Sequence, residues 1–515
     1  MRSIGVLISL LTVVATVVGA NAQPGDPVWA THFDTPDSAG TGGGILVKDE
    51  GRGRVLEVDN EDASRTVVRS FALPVEKMRG RFAIVRCEVK ADSVSPKPQP
   101  WNGVKVMVRI DTANGTQWPQ AEIAVGAFDW KRFSKRVLVP EDAKNATLVL
   151  GLEAVTGKVW FGNVQVTLAE PALAPAAPAD QPIFTGHSVP RLRGAMINPD
   201  SLTQADLHTL AIDWGANLVR WQLVRWNTPD EQNSFEAYDE WLDERLQKLD
   251  QGIAWAKSMG VMVVVDLHSP PGGEFLSAGY QGASGGIFNN PAAQAKLVDV
   301  WRKIAARYKG EKQIWAFELM NEPVDDDTAE GCDDWQTLAL RAGEAIRKID
   351  PDRTLIVDAP ADGAPEGFVG FRPVPLARVV YTFHMYIPYD FTYQHPGAAG
   401  APLKYPGIIG GRIWDKIDLQ KAMLPAIEFC RRYRVQMYVG EFSAIRWAPG
   451  GENYLADLIS IFEANHWDWS YHAFREWQGW NAELGDDRNN AQPTTKPTDR
   501  QMLLTKWFKQ NARAG

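Results

Sequence analysis

Cysteine is nearly absent, with three residues in 515, at Cys87, Cys332 and Cys430. That excludes a disulfide framework. One Cys332–Cys430 bridge stays open, but isolated thiols packed as small hydrophobes are the expectation. Neither CxxC nor HExxH occurs, so no structural zinc site is expected, and nothing calls for another metal or cofactor. Positive charge is not in surplus. The net charge of −9 argues against a nucleic-acid partner and fits a neutral ligand. Past the first 22 residues no run is long and apolar enough to span a bilayer, so a soluble, monomeric mature chain is expected.

What is present begins with a leader. Arg2, an apolar stretch from Ile4 to Ala20, and the small-x-small triplet Ala20-Asn21-Ala22 read as a signal peptide over residues 1–22, with export outside the cell or to a periplasm expected. The remainder, 45 % hydrophobic and 23 % charged overall, has the composition of a globular protein and the length of two or three domains. Tryptophan is abundant, at 20 residues. Its ring stacks on the apolar faces of sugars, but it also fills cores.

Residues 23–168 carry short alternating runs such as RGRFAIVRCEVKA, GVKVMVRID and ATLVLGLEA between Gly, Pro, Asp and Asn clusters, the pattern of an antiparallel β-sandwich. Residues 169–186, with AEPALAPAAPADQP, read as a semi-stiff Pro/Ala linker. Over 187–513 the pattern changes to short apolar runs alternating with amphipathic helical stretches. The runs are LRGAMI, ANLVRWQL, MVVVDLH, IWAFELM, TLIVDAP, VVYTFHMY, QMYVGEF and WDWSYHAF. Eight strand-then-helix units predict a parallel (β/α)8 TIM barrel, making the chain α/β with an all-β sandwich in front. The helix after the fifth run, in DGAPEGFVGF, has the weakest pattern.

Active sites in such barrels sit at the carboxyl ends of the strands. Arg220, His268, Asn321, Glu322, His384, Tyr386 and Glu441 all fall at or near those ends. Glu322 is expected to close strand four and Glu441 strand seven, 119 residues later. A carboxylate at the end of a buried strand is costly without a task. Two facing carboxylates can cleave a glycosidic bond, with retention at about 5–5.5 Å separation or inversion at about 6.5–9.5 Å. Arg220 could hold one carboxylate charged, with Tyr386 donating to the same group. Asn321 is placed for a sugar 2-hydroxyl, and His268 and His384 could orient these groups.

LVRWQ at strand two, VVDLHSPPGG at three, FELMNEP at four, HMY at six and VGEFSA at seven make residues 187–513 resemble glycoside hydrolase family 5, the cellulase-type retaining enzymes. The resemblance implies Glu322 as acid/base and Glu441 as nucleophile, supported by Arg220, His268, Asn321, His384 and Tyr386. It implies a β-linked polysaccharide or oligosaccharide as substrate. An endo-β-1,4-glucanase leads, ahead of a β-mannanase or β-1,3-glucanase. The pattern departs in one place. Family members carry a tryptophan at the end of strand eight, where His472 or Phe474 stands here, and Trp477 or Trp480 could supply the ring from the next loop. Trp221, Trp226 and Trp447 are equally open to packing or binding. The first domain, through FDWKRFSKRVLVP and GKVWFGNVQV, resembles jelly-roll carbohydrate-binding modules, with Trp101, Trp118 and Trp130 as candidate platforms. The reading of another class is a non-catalytic polysaccharide-binding protein on a degenerate barrel, which the presence of both glutamates disfavours. A metal-dependent barrel hydrolase would need an HxH in LRGAMI, and none is there.

Overall fold

The computed structural model describes residues 27–512 except 34–39, 100, 114, 122, 172–173, 226–233, 273–285, 326–327, 330 and 395–401. The leader, Trp226 and parts of two long strand-end loops therefore lie outside the described residues. The chain divides into two units, Met1–Pro171 and Ala172–Gly515.

The first unit is a sandwich of two antiparallel sheets, as the alternating runs predict. The six-stranded sheet centres on Gly157–Pro171, paired with Gly53–Asn60 and Arg81–Val94. The five-stranded sheet centres on Asn145–Glu153, paired with Thr66–Leu73 and Gly103–Thr112. Because side chains alternate faces along a strand, every second residue of these runs enters the shared core, among them Val85, Val89, Val106, Val108, Leu148, Leu150, Val159 and Phe161. Trp101 and Trp118 stay outside it at 60 % and 52 % exposure, whereas Trp130 lies beneath the Arg52 guanidinium.

The second unit holds a closed barrel of eight parallel strands. They are β1 (Arg193–Ile197), β2 (Leu218–Gln222), β3 (Met262–Asp266), β4 (Ile314–Glu318), β5 (Thr354–Asp358), β6 (Val379–Met385), β7 (Met437–Phe442) and β8 (Asp468–Phe474). All eight coincide with the runs read from sequence. Helices cover the outside, several started by side-chain caps: Ser234 for Phe235–Met259, Asn290 for Pro291–Arg307, Asp334 for Trp335–Arg347. After β5 there is only a short 3-10 turn, Pro365–Phe368, where the helical pattern was weakest. The alanine- and proline-rich stretch lies along this unit. Arg432 donates to the Ala174 carbonyl at 2.8 Å and Arg434 to the Gln181 carbonyl at 2.6 Å. Among the described residues no helix is long and apolar enough to cross a membrane.

Strand periodicity places the chemistry. Leu218, Val264, Ala316, Ile356, Val380 and Tyr438 form an apolar layer of their own, separate from the core between strands and helices. Two residues further along the same strands stand Arg220, Asp266, Glu318, Asp358 and Thr382, all buried. The barrel thus closes on hydrocarbon below and opens on charge above.

Candidate active site

Arg220 on β2 is fully buried and organises the charged layer. It donates to Glu318 from Nε at 2.9 Å and from Nη2 at 2.6 Å. Nη2 also donates to Asn321 at 2.8 Å and lies 3.1 Å from Asp266. Nη1 donates to Glu441 Oε1 at 2.5 Å. A buried guanidinium is tolerable only with such partners, and although burial opposes its charge, Asp266, Glu318 and Glu441 raise its pKa well above the usual value.

Glu441, within β7, is fully buried. Its Oε2 accepts from the Tyr386 hydroxyl at 2.7 Å and faces His472 Nδ1 at 3.0 Å. Burial works against ionisation. The charges of His472 and Arg220 outweigh it and hold this carboxyl well below the carboxylate range.

Glu322 lies four residues beyond the end of β4, in the following loop rather than on the strand, with φ +45°. The turn swings it back over the mouth. Its backbone N–H donates to Asp358 Oδ1 at 3.3 Å, and its Oε1 lies 2.6 Å from His384 Nδ1. Gly363 permits this closeness: a Cβ there would sit 3.0 Å from Glu322 Cγ and 3.3 Å from His384 Nδ1, on a backbone with φ +68°. Burial pushes Glu322 up to about 8, reinforced by the charge of Glu441. Burial also drives His384 down to about 4, leaving it neutral. An oxygen of Glu322 and one of Glu441 lie within 4.8 Å of each other, with His384 between. One carboxyl keeps its proton at neutral pH and its neighbour loses it, the division of states that acid–base chemistry on a shared substrate requires.

The remaining expected residues converge on the same mouth. His268 is buried and its Nδ1 donates to Asp266 Oδ2 at 2.8 Å; burial opposes its protonation, but Asp266 raises its pKa. Trp477 stands at the rim, 45 % exposed, edge-on to Trp447 and Trp480. Trp480 is the ring that reaches inward, 5.7 Å from His472 and 6.1 Å from Tyr386. Trp221 is buried in the core between strands and helices.

Sequence reasoning missed Asp266, Glu318, Asp358, Asp362 and Glu476. The first three had a signal: each is a carboxylate ending an otherwise apolar strand. Two trios, Glu318–Asp358–His384 and Glu322–His384–Glu441, have oxygen and nitrogen atoms close enough to hold a metal. Arg220 already lies against Glu318 and Glu441, so a second cation there would meet its charge, and the trios are better explained by shared protons. The three cysteines are free.

Comparison with known proteins agrees with the geometry. The model of the cellulase family (glycosyl hydrolase family 5) matches residues 177–481. Endoglucanase C of Acetivibrio thermocellus is 29 % identical over 292 residues, spanning 51 % of this chain and 80 % of the relative. Cellodextrinase A of Ruminococcus flavefaciens is 27 % identical over 45 % of this chain and 66 % of its own length. A probable glucan 1,3-beta-glucosidase A of Neosartorya fischeri is 31 % identical over 30 % of this chain and 36 % of its own length. A barrel with paired, oppositely poised glutamates and a family match over most of that barrel leave one conclusion: the chain belongs to the cellulase family, glycosyl hydrolase family 5, and is a cellulase-like glycosidase.

Proposed function

We propose that this protein is an exported, retaining endo-β-1,4-glucanase in which Glu322 is the acid/base and Glu441 the nucleophile. The observation that carries the reading is the approach of the two carboxyls to within 4.8 Å with opposite protonation. So close an approach favours direct attack over the intervening water of an inverting enzyme, whose carboxyls stand about 6.5–9.5 Å apart. In the first step Glu441 forms a bond to the anomeric carbon as the bond to the leaving oxygen breaks, and Glu322 gives that oxygen its proton. The resulting ester removes the charge of Glu441, one of the causes holding the Glu322 pKa up. Glu322 is then a ready base. It takes a proton from water, the water oxygen bonds to the anomeric carbon, and Glu441 leaves as carboxylate. Arg220 and Tyr386 steady Glu441, Asn321 faces the sugar 2-hydroxyl, and His384 and His268 orient the two carboxyls and their neighbours.

The β-1,4-glucan assignment is supported by the endoglucanase and cellodextrinase names among the relatives, with β-mannan and β-1,3-glucan as the alternatives. The sandwich is assigned as a carbohydrate-binding module on the exposure of Trp101 and Trp118, and export on the leader at 1–22. The test is hydrolysis of β-1,4-glucan, β-1,3-glucan, mannan and xylan by wild type, Glu322→Ala and Glu441→Ala, with the product anomer followed by NMR. Both variants should lose hydrolysis, and azide should convert Glu441→Ala turnover into a glycosyl azide of inverted configuration. Unchanged activity in either variant, or an inverted product from wild type, would sink the mechanism.

A further inference from the structure

We propose that His472 and Glu476 form a positioning pair that sets the charge state of the nucleophile, in the place at the end of β8 where an aromatic floor was expected. The proposal rests on the assignment of Glu441 as nucleophile. His472 is an inward position of β8, and its ring nitrogens face two carboxylates: Nδ1 lies 3.0 Å from Glu441 Oε2 and Nε2 lies 2.8 Å from Glu476 Oε2. Nε2 donates to the Glu476 carboxylate, and because the Tyr386 hydroxyl gives its own proton to Glu441 Oε2, Nδ1 must donate toward the tyrosine oxygen and Glu441, so the ring carries both protons and is an imidazolium. Glu476 is pinned in turn by Gln222, whose Nε2 donates to its other oxygen at 3.0 Å. The side chains of His472 and Glu476 are only 5 % and 7 % exposed.

Glu476 bonds His472 and Gln222, and its own charge, of the same sign as that of Glu441, favours ionisation of the nucleophile only through the ring. A buried carboxylate is expensive, and its contacts account for it only as a counter-charge to the ring. The pair is neutral as a whole but oriented, with its positive end on Glu441. The other groups facing His472 are consistent with this. Tyr386, past β6, brings its hydroxyl to the same Glu441 oxygen and against His472 Nδ1. Arg220 on β2 holds the opposite Glu441 oxygen. Trp480 covers the ring from the loop after β8. Glu322 lies within electrostatic reach, and His384 faces both catalytic carboxyls from β6. Burial alone would discharge the ring; Glu441 and Glu476 instead push it up to about 10. In the reaction the pair keeps Glu441 ionised before attack and receives it as a carboxylate when the glycosyl ester breaks.

The test is the pH profile of kcat/KM for His472→Asn, which keeps a donor near the Nδ1 position without the charge, and Glu476→Gln, which leaves the ring but removes its anion. Loss of an adjacent opposite charge moves a carboxyl by about one pH unit or more. The acid limb should therefore move to higher pH by at least about one unit in His472→Asn, with a roughly tenfold lower plateau, whereas Glu476→Gln, which takes an anion from the ring, should move the His472 titration followed by ring 15N NMR to lower pH by at least about one unit. The basic limb of His472→Asn should also rise, because the ring's charge lowers the pKa of Glu322. A purely structural role would lower the plateau and leave both limbs in place. Unmoved limbs in His472→Asn, or an unmoved ring titration in Glu476→Gln, in a variant that retains the wild-type circular dichroism spectrum and with Glu441→Gly still yielding the inverted azide product, would overturn the pair and leave the nucleophile assignment standing. No azide product from Glu441→Gly would overturn both. Should His472→Asn fail to fold, the ring titration in Glu476→Gln, farther from the cleft, decides the question alone.

Discussion

Replacing Glu322 with glutamine should abolish hydrolysis and stabilise the barrel, by an amount that grows with pH. The folded protein holds the Glu322 proton up to about pH 8, whereas an exposed glutamate releases it near 4.5. Between those values the folded state binds more protons than the unfolded state, so stability falls as pH rises. Each pH unit in the window costs about 1.4 kcal/mol, or roughly 5 kcal/mol across it. Below 4.5 both states are protonated and the penalty vanishes. Glutamine has the shape of the protonated acid and no proton to lose. Urea denaturation of wild type and Glu322→Gln at pH 4.5, 6 and 8, followed by tryptophan fluorescence, should therefore give curves that nearly coincide at the lowest pH. The variant should be more stable by several kcal/mol at the highest. A difference that does not change with pH, or a wild type that gains on the variant as pH rises, would refute the claim that Glu322 carries the proton.

Arg220→Met should cost about 3–5 kcal/mol in the same denaturation assay at neutral pH, because it strands Glu318, Asp266 and Glu441 without their cation. The loss should shrink toward pH 4.5, where Glu318, whose pKa burial raises, takes up a proton. Gly363→Ala puts a methyl group 3.0 Å from Glu322 Cγ on a left-handed backbone, so it should cost about 1–2 kcal/mol in stability and lower kcat about tenfold with little change in KM. Asp362→Asn should move the basic limb of kcat/KM to lower pH by under about one unit. Asp362 is itself pushed up to about 7, by burial and then by Glu322, and removing its charge makes the Glu322 proton easier to lose.

The barrel was legible because its physics is local. Each strand is a short, mostly apolar run bounded by turns, and most are followed by an amphipathic helix. Glu441 was legible for the same reason: it lies inside a strand whose pattern is unbroken. Glu322 was expected at a strand end and proves to lie in a loop four residues on. Leu319 and Met320 look like more strand, yet their side chains go to the core between strands and helices while the chain turns. What was not legible is partnership. Nothing near Glu318 announces Arg220, 98 residues away, and Glu476 reads as an ordinary loop acid until β2 and β8 bring Gln222 and His472 against it. Trp477 and Trp480 were both near in sequence to the place of the missing ring, and only the fold separates them: Trp480 turns inward toward His472 while Trp477 stays half exposed.

The difference between the two glutamates is a difference between two histidines. His384 and His472 are both buried at the barrel mouth, within 3.9 Å and 3.0 Å respectively of the same Glu441 oxygen. His384 has glycine on both sides. Gly363 and Gly440 press so close that a Cβ at either would crowd the ring, and its Nε2 has no hydrogen-bond partner. Without a bonded anion beyond Glu322 to stabilise its charge, it yields to burial and stays neutral, and Glu322, facing a neutral ring, keeps its proton. His472 has Glu476 behind it and takes the charge, so Glu441, facing a cation on one oxygen and Arg220 on the other, gives its proton up. Identical side chains at similar depth thus hold opposite states because His472 bonds a charged carboxylate behind it, whereas the carboxyl behind His384, Asp358 at 3.9 Å, is itself pushed well up by burial, and that asymmetry sorts acid from nucleophile before any substrate arrives.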